Sequence, residues 1–307
     1  MAASAHYPSD RSDMHTRLRT TTSAILLAAA LLFGQTGCAT QGPENPPAAA
    51  TTTTVATVAL PSLDNFRDVA GSGGGFPTED GRHLRTGVVY RSNAVIPDDA
   101  DLATLAGLHP STIYDLRTPD ESEKTPDRVP AGTTYRQISV IGDGAQFNAD
   151  MAALTSAEEA RELMRRLYRG FVTGDTERRA YADLLTGLAA ESGPVVIHCT
   201  AGKDRTGFAG YLLHRIAGVP IDVTMTDFLE SNARSAQSIA RTQEELRHTR
   251  GAAAADIMTP LLTVERSYLE AAVTEIETSY GSVEGYLRTG LGLQDDTLET
   301  LRARLVR

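Results

Sequence analysis

The chain has 307 residues and a net charge of −10, with 29 basic and 39 acidic side chains. Such an acidic chain is a poor candidate for a nucleic-acid binder, because nucleic-acid phosphates are bound by basic patches. Its two cysteines, Cys38 and Cys199, are too few for a disulfide framework.

The first 38 residues have the pattern of an export signal. Arg17 and Arg19 precede an unbroken apolar run over residues 24–33, which is too short to span a bilayer as a mature helix. Residues 1–38 are therefore predicted to be a signal peptide. The protein is expected to be exported, and to be either secreted, periplasmic or anchored to a membrane.

Cys38 lies in a segment of small residues, Thr36-Gly37-Cys38-Ala39, that resembles a bacterial lipobox. The leucine usual three residues before the cysteine is replaced by Gln35, so lipidation and plain secretion both stay open. Acylation would also prevent Cys38 from pairing with a reactive cysteine in an oxidising compartment. Residues 39–60 are rich in Pro, Ala and Thr and are predicted to be a disordered linker.

Residues 61–307 are predicted to form one folded domain in which strands and helices alternate. Residues 141–153 and 251–255 are interpreted as loops. The order of elements favours an α/β fold with a mostly parallel central sheet flanked by helices. Apolar patterns and capping residues, including a Ser or Thr cap before 156–168 and 176–190, predict strands at 88–92, 112–117, 135–140 and 194–198, and helices at 97–108, 156–168, 176–190 and 205–216.

The domain opens with Asn65-Phe66-Arg67-Asp68, followed by a glycine run over 71–75. The glycine run is not interpreted as a dinucleotide-binding loop, because the preceding strand and following helix are missing from the pattern. Arg67 and Asp68 are expected either to form an ion pair with each other or to contact a ligand directly.

The segment from Val195 to Gly207 is the most informative one. A short β-branched strand is followed by a tight loop and then by a helix, so successive backbone N–H groups converge at a helix N-terminus, where an anion is stabilised. Cys199 lies in this loop beside Lys203 and Arg205, an environment that favours a thiolate. A thiolate next to a phosphate-sized cradle points to nucleophilic attack on phosphorus. A buried inert cysteine and a sulfurtransferase loop are the alternatives, and the Arg-Thr-Gly continuation favours phosphate.

The run His198-Cys199-x-x-Gly202-Lys203-Asp204-Arg205-Thr206-Gly207 resembles the signature loop of cysteine-dependent phosphatases. It is most similar to the secreted bacterial tyrosine and phosphoinositide phosphatases. Asn-Phe-Arg-Asp at 65–68, Tyr-Arg-Ser at 90–92 and Asp-Leu-Arg at 115–117 extend the resemblance, which covers roughly residues 62–307. It implies a cysteine-phosphatase fold with a helical lid over 233–250 and a helical C-terminal part.

The resemblance also implies a mechanism. Cys199 would form a cysteinyl-phosphate, with Arg205 stabilising the transferred group. Either Asp204 in the loop or Asp115 at a neighbouring strand end would act as the general acid, and the sequence does not separate them. His198 is expected to order the loop, and no metal or cofactor is expected. The remaining loop residues would bind the phosphate: Thr200, Ala201, Gly202, Lys203, Thr206, which would also hydrogen-bond the sulfur, and Gly207.

The expected activity is that of a protein-tyrosine phosphatase. Lys203 adds a cation that suits neighbouring phosphates, so the specificity is expected to extend to phosphoserine, phosphothreonine and phosphoinositides. The expected partners are a phosphotyrosine protein or a phosphoinositide, and a membrane through an acylated Cys38, but no nucleic acid. The alternatives are a phytase-like inositol-polyphosphate phosphatase and a non-enzymatic phosphate-binding surface lipoprotein. The intact Cys199, Asp204 and Arg205 argue against the last.

Overall fold

The computed structural model of the protein describes residues 58–307. The predicted signal peptide, Cys38 and most of the predicted linker lie outside these residues. Leu60, which was expected to be the last linker residue, is buried in the described part. None of the helices within 58–307 has the length and apolar character needed to cross a membrane.

A five-stranded sheet lies at the centre of the fold, in the order β1-β2-β5-β3-β4. β1 pairs with β2 in the antiparallel direction, and all other pairs are parallel, so the predicted mostly parallel sheet is confirmed. The strands are β1 (Arg67–Asp68), β2 (Val89–Ser92), β3 (Thr112–Asp115), β4 (Thr134–Gln137) and β5 (Val195–His198).

Helices surround the sheet and form the whole of the C-terminal part, as the sequence predicts. A five-residue π-helical turn, Tyr286–Gly290, follows α11. The helices are α1 (Asp99–Gly107), α2 (Pro119–Lys124), α3 (Ala145–Ala152), α4 (Ala157–Thr173), α5 (Asp175–Ala190), α6 (Arg205–Ala217), α7 (Ile221–Arg234), α8 (Ala236–Arg250), α9 (Ala252–Leu262), α10 (Arg266–Tyr280), α11 (Val283–Gly285) and α12 (Asp295–Leu305).

Both faces of the sheet are covered by apolar side chains. On β5, Val195 and Ile197 face the large core beneath α4, α5 and α6, while Val196 faces a smaller core built by α1 and residues 60–66. Successive side chains of a strand point to opposite faces, so a strand buried on both sides must be apolar throughout. This explains why apolar and polar residues do not alternate in the run before Cys199.

The predicted boundaries are wrong in four helical regions. Residues 145–152 form α3, and the Ala-rich segment after Gly251 begins α9, although both were interpreted as loops. α5 begins after Gly174 and not at a Thr cap, and α4 runs on to Thr173.

The sheet order places the functional segment at the centre of the molecule. His198 at the end of β5 lies opposite Ser92 at the end of β2 and Asp115 at the end of β3. The loops that follow these three parallel strands therefore leave the same edge of the sheet, where ligands bind in open α/β folds. α7, α8 and α9 follow in the chain, and α9 packs against α8 and α4. Most of the predicted lid segment, residues 233–250, forms α8.

Candidate active site

The loop from Cys199 to Asp204 joins the central strand to the N-terminus of α6. Cys199 is a free cysteine and only 2% exposed. Within the described part of the chain, the backbone N–H groups of residues 200–205 donate to no protein acceptor. Together with the positive end of the α6 dipole, these free donors form a cradle for an oxyanion next to the sulfur.

Gly202 is the tightest point of the loop. Its φ is +66°, and a Cβ at this position would lie 2.2 Å from the carbonyl oxygen of Ser92. Its own carbonyl accepts hydrogen bonds from Asn65 Nδ2 at 2.8 Å and from Arg91 Nη2 at 2.9 Å. Only glycine meets both the backbone and the steric requirement, so the loop can lie flat against the end of β2.

Arg205 is held by Glu121, a residue of α2 that the sequence analysis did not single out. Nη1 donates to Oε2 at 2.6 Å and Nη2 donates to Oε1 at 2.8 Å, which is the bidentate geometry of a strong ion pair. Burial raises the pKa of Glu121, but the hydrogen bonds and charge of Arg205, with the hydrogen bonds from Thr200 and Thr118, together outweigh it and lower the pKa to about 2. Nη1 also donates to the carbonyl of Leu116, and Nη2 donates to Thr200 Oγ1 at 3.2 Å. The guanidinium plane is therefore fixed, while Nε donates to no described residue.

A capping box fixes Glu121 in turn. Its backbone N–H donates to Thr118 Oγ1, and its carboxylate accepts from the backbone N–H of Thr118 at 2.8 Å. The Thr-x-x-Glu pattern from 118 to 121 is readable in the sequence as a helix start. That signal could have located the helix, but not its contact with Arg205, which is 84 residues away in the chain.

Asp204 occupies the N-cap position of α6, yet its carboxylate makes no capping hydrogen bond. It pairs instead with Lys203 Nζ at 2.9 Å and accepts from the hydroxyl of Tyr168 at 3.1 Å. Lys203 Nζ also donates to the carbonyl of Thr263, between α9 and α10. Asp204 is the last loop residue before α6, and 18% of its side chain is exposed.

Asp115 lies in a closed polar cluster behind the loop and has no exposed surface. Arg117 Nη2 and the hydroxyl of Tyr135 each donate to its Oδ2 at 2.7 Å. Burial raises the pKa of Asp115, but Arg117 and then His198 outweigh it, so the pKa lies below its ordinary value. Among the contacts of the described residues, this carboxylate makes no hydrogen bond or ion pair with residues 199–205.

The same cluster brings three potential metal-ligating residues together, which the sequence spacing did not indicate. Single ligating atoms of Asp115, Asp127 and His198 lie within 4.8 Å of one another. However, Arg117 Nη2 donates to both carboxylates, at 2.7 Å to Asp115 and 2.6 Å to Asp127. The guanidinium thus provides the positive charge that balances these carboxylates. His198 Nδ1 lies 3.3 Å from the carbonyl of Cys199. The cluster therefore anchors the start of the loop.

The two last residues of the signature lie in the first turn of α6. Thr206 is fully buried, and its hydroxyl has no hydrogen-bond partner among the residues described. A Cβ at Gly207 would lie 3.2 Å from the ring of Phe228, so Gly207 allows α6 and α7 to pack closely. The structure therefore gives Gly207 a packing role rather than a contact with the cradle.

A cavity of about 250 Å³ opens beside the cradle. Thr200, Ala201 and Lys203 form its floor, and its wall comes from α8 and the end of α9. Hydroxyl groups and apolar side chains share that wall: Ser235, Ser238, Ile239, Thr242, Leu261 and Leu262. The helices after the signature loop thus border the site, as the predicted lid requires.

The pairing expected between Arg67 and Asp68 is wrong. Arg67 Nε donates to Asp227 of α7 at 2.8 Å. Asp68 accepts instead from the backbone N–H groups of Ala70 and Gly87. Asp227 lies 160 residues from Arg67, and no local pattern marks it as a partner.

Comparison with known proteins gives a consistent result. Residues 58–307 match the model of the tyrosine phosphatase family. The chain is 34% identical over 252 residues to the "Putative tyrosine-protein phosphatase" of Cupriavidus necator, covering 80% of this chain and 88% of that protein. It is 31% identical over 286 residues to the triple specificity protein phosphatase PtpB of Mycobacterium tuberculosis, covering 82% and 100%. A crystal structure of P. aeruginosa TpbA is 16% identical, covers 67% of this chain and 88% of that one, and has a TM-score of 0.26, which is too low to support an argument.

Proposed function

This chain belongs to the tyrosine phosphatase family, and from that premise we propose that it hydrolyses phosphotyrosine in proteins through a cysteinyl-phosphate on Cys199. The observation that carries the proposal is the cradle itself. A nearly buried thiol lies under the free N–H groups of residues 200–205 and beside the guanidinium of Arg205.

The reaction has two displacements at phosphorus. The thiolate of Cys199 attacks, the bond from phosphorus to the tyrosyl oxygen breaks, and a general acid protonates that oxygen. Water then attacks the cysteinyl-phosphate, gives its proton to the same carboxylate, and releases phosphate and the thiolate. The loop N–H groups and Arg205 stabilise the equatorial oxygens in both transition states.

Arg205 must change partners when phosphate binds. Its Nη groups already donate to Glu121, Thr200 and the carbonyl of Leu116, so within residues 58–307 Nε is the donor of the guanidinium that has no partner. A bidentate grip on phosphate uses two adjacent N–H groups. We assign these to Nε and Nη2, so that phosphate displaces the hydroxyl of Thr200 while Glu121 keeps the guanidinium in place.

We assign the general acid to Asp204. Its carboxylate lies in the signature loop beside Arg205 and is partly exposed, whereas Asp115 has no exposed surface and accepts hydrogen bonds from Arg117 and Tyr135. In kcat measured against pH, Asp204→Asn should lose the basic limb, and it should hydrolyse an aryl phosphate with an activated leaving group nearly normally. If Asp115→Asn shows this behaviour and Asp204→Asn does not, the assignment is wrong.

The cavity beside the loop is the proposed site of the tyrosine ring. Ile239, Leu261 and Leu262 offer an apolar wall, and Lys203 adds a cation at the floor. PtpB is named a triple specificity protein phosphatase. For this chain we propose a specificity that extends to phosphoserine, phosphothreonine and phosphoinositides, which the cation of Lys203 would suit.

A substrate panel tests the proposed activity. Wild type and Cys199→Ser should be compared on a phosphotyrosine peptide, a phosphoserine peptide, a phosphoinositide and inositol hexakisphosphate, with and without a chelator. We expect the wild type to favour the phosphotyrosine peptide and the variant to be inactive. Full activity of Cys199→Ser, or a preference for inositol hexakisphosphate, would overturn the proposal.

Export and membrane anchoring are proposed from the sequence alone. The apolar run over 24–33 and the lipobox-like segment around Cys38 support them. Mass spectrometry of the protein purified from its own cells should show an acylated Cys38 at the N-terminus. A mature protein that starts elsewhere and carries no lipid would contradict the anchoring proposal.

A further inference from the structure

A buried ion cluster lies directly beneath the phosphate cradle, and the reaction described above does not use it. Its members are Arg67 of β1, Arg91 of β2 and Asp227 of α7, each no more than 4% exposed. Asp227 accepts from Arg67 Nε at 2.8 Å and from Arg91 Nη1 at 3.1 Å. Burial would raise the pKa of Asp227, but the two arginines hold it well below its ordinary value. The cluster thus carries two positive charges and one negative charge.

The cluster makes two contacts that lead to the loop. Arg91 Nη2 donates directly to the carbonyl of Gly202 at 2.9 Å. Arg67 Nη1 donates to Asn65 Oδ1, which turns the amide nitrogen of Asn65 toward the same carbonyl, at 2.8 Å. Asn65 holds a left-handed backbone conformation with φ +60°, an uncommon state that the surrounding structure must enforce.

The direction of the Gly202 carbonyl decides the direction of the next N–H group. Peptide units are trans, so the N–H of Lys203 points opposite to the carbonyl of Gly202. Two donors hold that carbonyl on the side of β2, and the N–H of Lys203 consequently points away from β2 and donates to no described protein group. If this peptide unit rotated, a carbonyl oxygen would face the phosphate.

We propose that Asn65, Arg91 and Asp227 are positioning residues that hold the Gly202–Lys203 peptide with its N–H toward the phosphate. The inference rests on the proposed function, because it assigns these residues a task in that reaction. Asp227 keeps the two guanidinium groups side by side, Arg67 orients Asn65, and Asn65 and Arg91 grip the carbonyl. The preference of the cradle for a phosphate anion thus depends on a carboxylate of α7, the helix that leads into the lid segment.

Binding of inorganic phosphate to Cys199→Ser protein tests the proposal without requiring turnover. Titration calorimetry should show about a tenfold weaker affinity for phosphate after Asp227→Asn. The reason is that the N–H of Lys203 is then no longer held toward the anion. Asn65→Gly removes the second donor but accepts the left-handed backbone, and it should weaken binding similarly. The matched control is Asp101→Asn, the same substitution at a buried carboxylate of α1 that binds Ser62, and it should leave the affinity unchanged.

The values of kcat and KM for the same substitutions, made in protein that keeps Cys199, distinguish a positioning role from a loss of stability. A structural defect lowers the fraction of active protein and hence kcat at constant KM, whereas a misdirected N–H raises KM for an aryl phosphate. Unchanged phosphate affinity and unchanged KM in Asn65→Gly would overturn the proposal, even if Asp227→Asn does not fold. If Cys199→Ser binds phosphate normally but the wild type hydrolyses no substrate, the proposed function fails and the positioning role stands. If Cys199→Ser binds no phosphate, the positioning role fails, and the substrate panel with the wild type still decides the proposed function.

Discussion

At the scale of single residues, Gly202 carries the strictest requirement in the site. Gly202→Ala should destabilise the fold by about 3 kcal/mol, because a Cβ would add left-handed strain and a clash with Ser92. The matched control is Gly218→Ala, whose φ is +81° and whose Cβ would meet no atom within 4 Å. That variant should lose only about 1 kcal/mol. Equal losses of unfolding free energy in urea would show that the clash is unimportant.

Glu121 should give the protein a pH-dependent contribution to its stability. The pKa of Glu121 is lowered to about 2 in the folded state, so the contribution is complete above about pH 4.5 and is lost as pH falls toward 2. Glu121→Gln should therefore be destabilised by about 1 to 3 kcal/mol at neutral pH. The difference from wild type should shrink in urea titrations between pH 4.5 and 2.5. A difference that is independent of pH would contradict the ion-pair explanation.

The residues that could be predicted from the sequence are those within one local pattern. Cys199, Gly202 and Arg205 are recognisable because they share a loop of seven residues. Glu121 and Asp227 are not, because their partners lie 84 and 160 residues away and come close only through the sheet order. Local patterns report secondary structure, and such long-range ion pairs depend on tertiary structure.

At the scale of elements, the short helix α2 delivers Glu121 to Arg205, and its capping box should matter for activity. Thr118→Ala removes the side-chain acceptor of the cap and should cost about 1 kcal/mol. Because Glu121 is then less firmly held, KM for an aryl phosphate should also rise.

The N-cap of α4 offers a matched control for the Thr118 experiment. Ser156 Oγ accepts from the backbone N–H of Glu159 at 3.2 Å, the same contact as in α2. Ser156→Ala should lose a similar amount of stability without changing KM, because α4 contributes no hydrogen-bond partner of Arg205. A rise in KM for Ser156→Ala as large as that for Thr118→Ala would show that general loosening causes the effect.

The helices and strands that were predicted correctly have a strong local signal. β5 and α6 are marked by apolar runs, and α1 is marked by the aspartates at its start. α3 was missed because its N-cap, Gly144, offers no side-chain cap and lies two residues after another glycine, Gly142. α9 was missed because an Ala run after Gly251 was read as flexible, although alanine has the highest helix propensity.

At the scale of the whole molecule, the large core and the active site are in direct contact. In the core the ring of Phe171 packs against the rings of both Tyr168 and Phe208, and the hydroxyl of Tyr168 donates to Asp204. The fold class could be predicted from composition and from the order of the elements, because every α/β arrangement of these elements buries these rings. The sheet order itself could not be derived from the sequence, because several orders bury the same apolar faces.

That order has a consequence for the way the chain assembles. β2 and β3 do not pair with each other, and both pair with β5, which is made last. A ribosome that has produced everything up to Ala190 has therefore made two half-sheets, each with an open inner edge that invites wrong partners. Val195–His198 closes the gap and brings the nucleophile with it. A chain truncated after Ala190 should aggregate and show no cooperative unfolding by circular dichroism, whereas a stable, cooperative fragment would show that the halves fold independently. Completion of the sheet thus places Cys199, and the cradle that follows it, beside the ends of β2 and β3 in the same event.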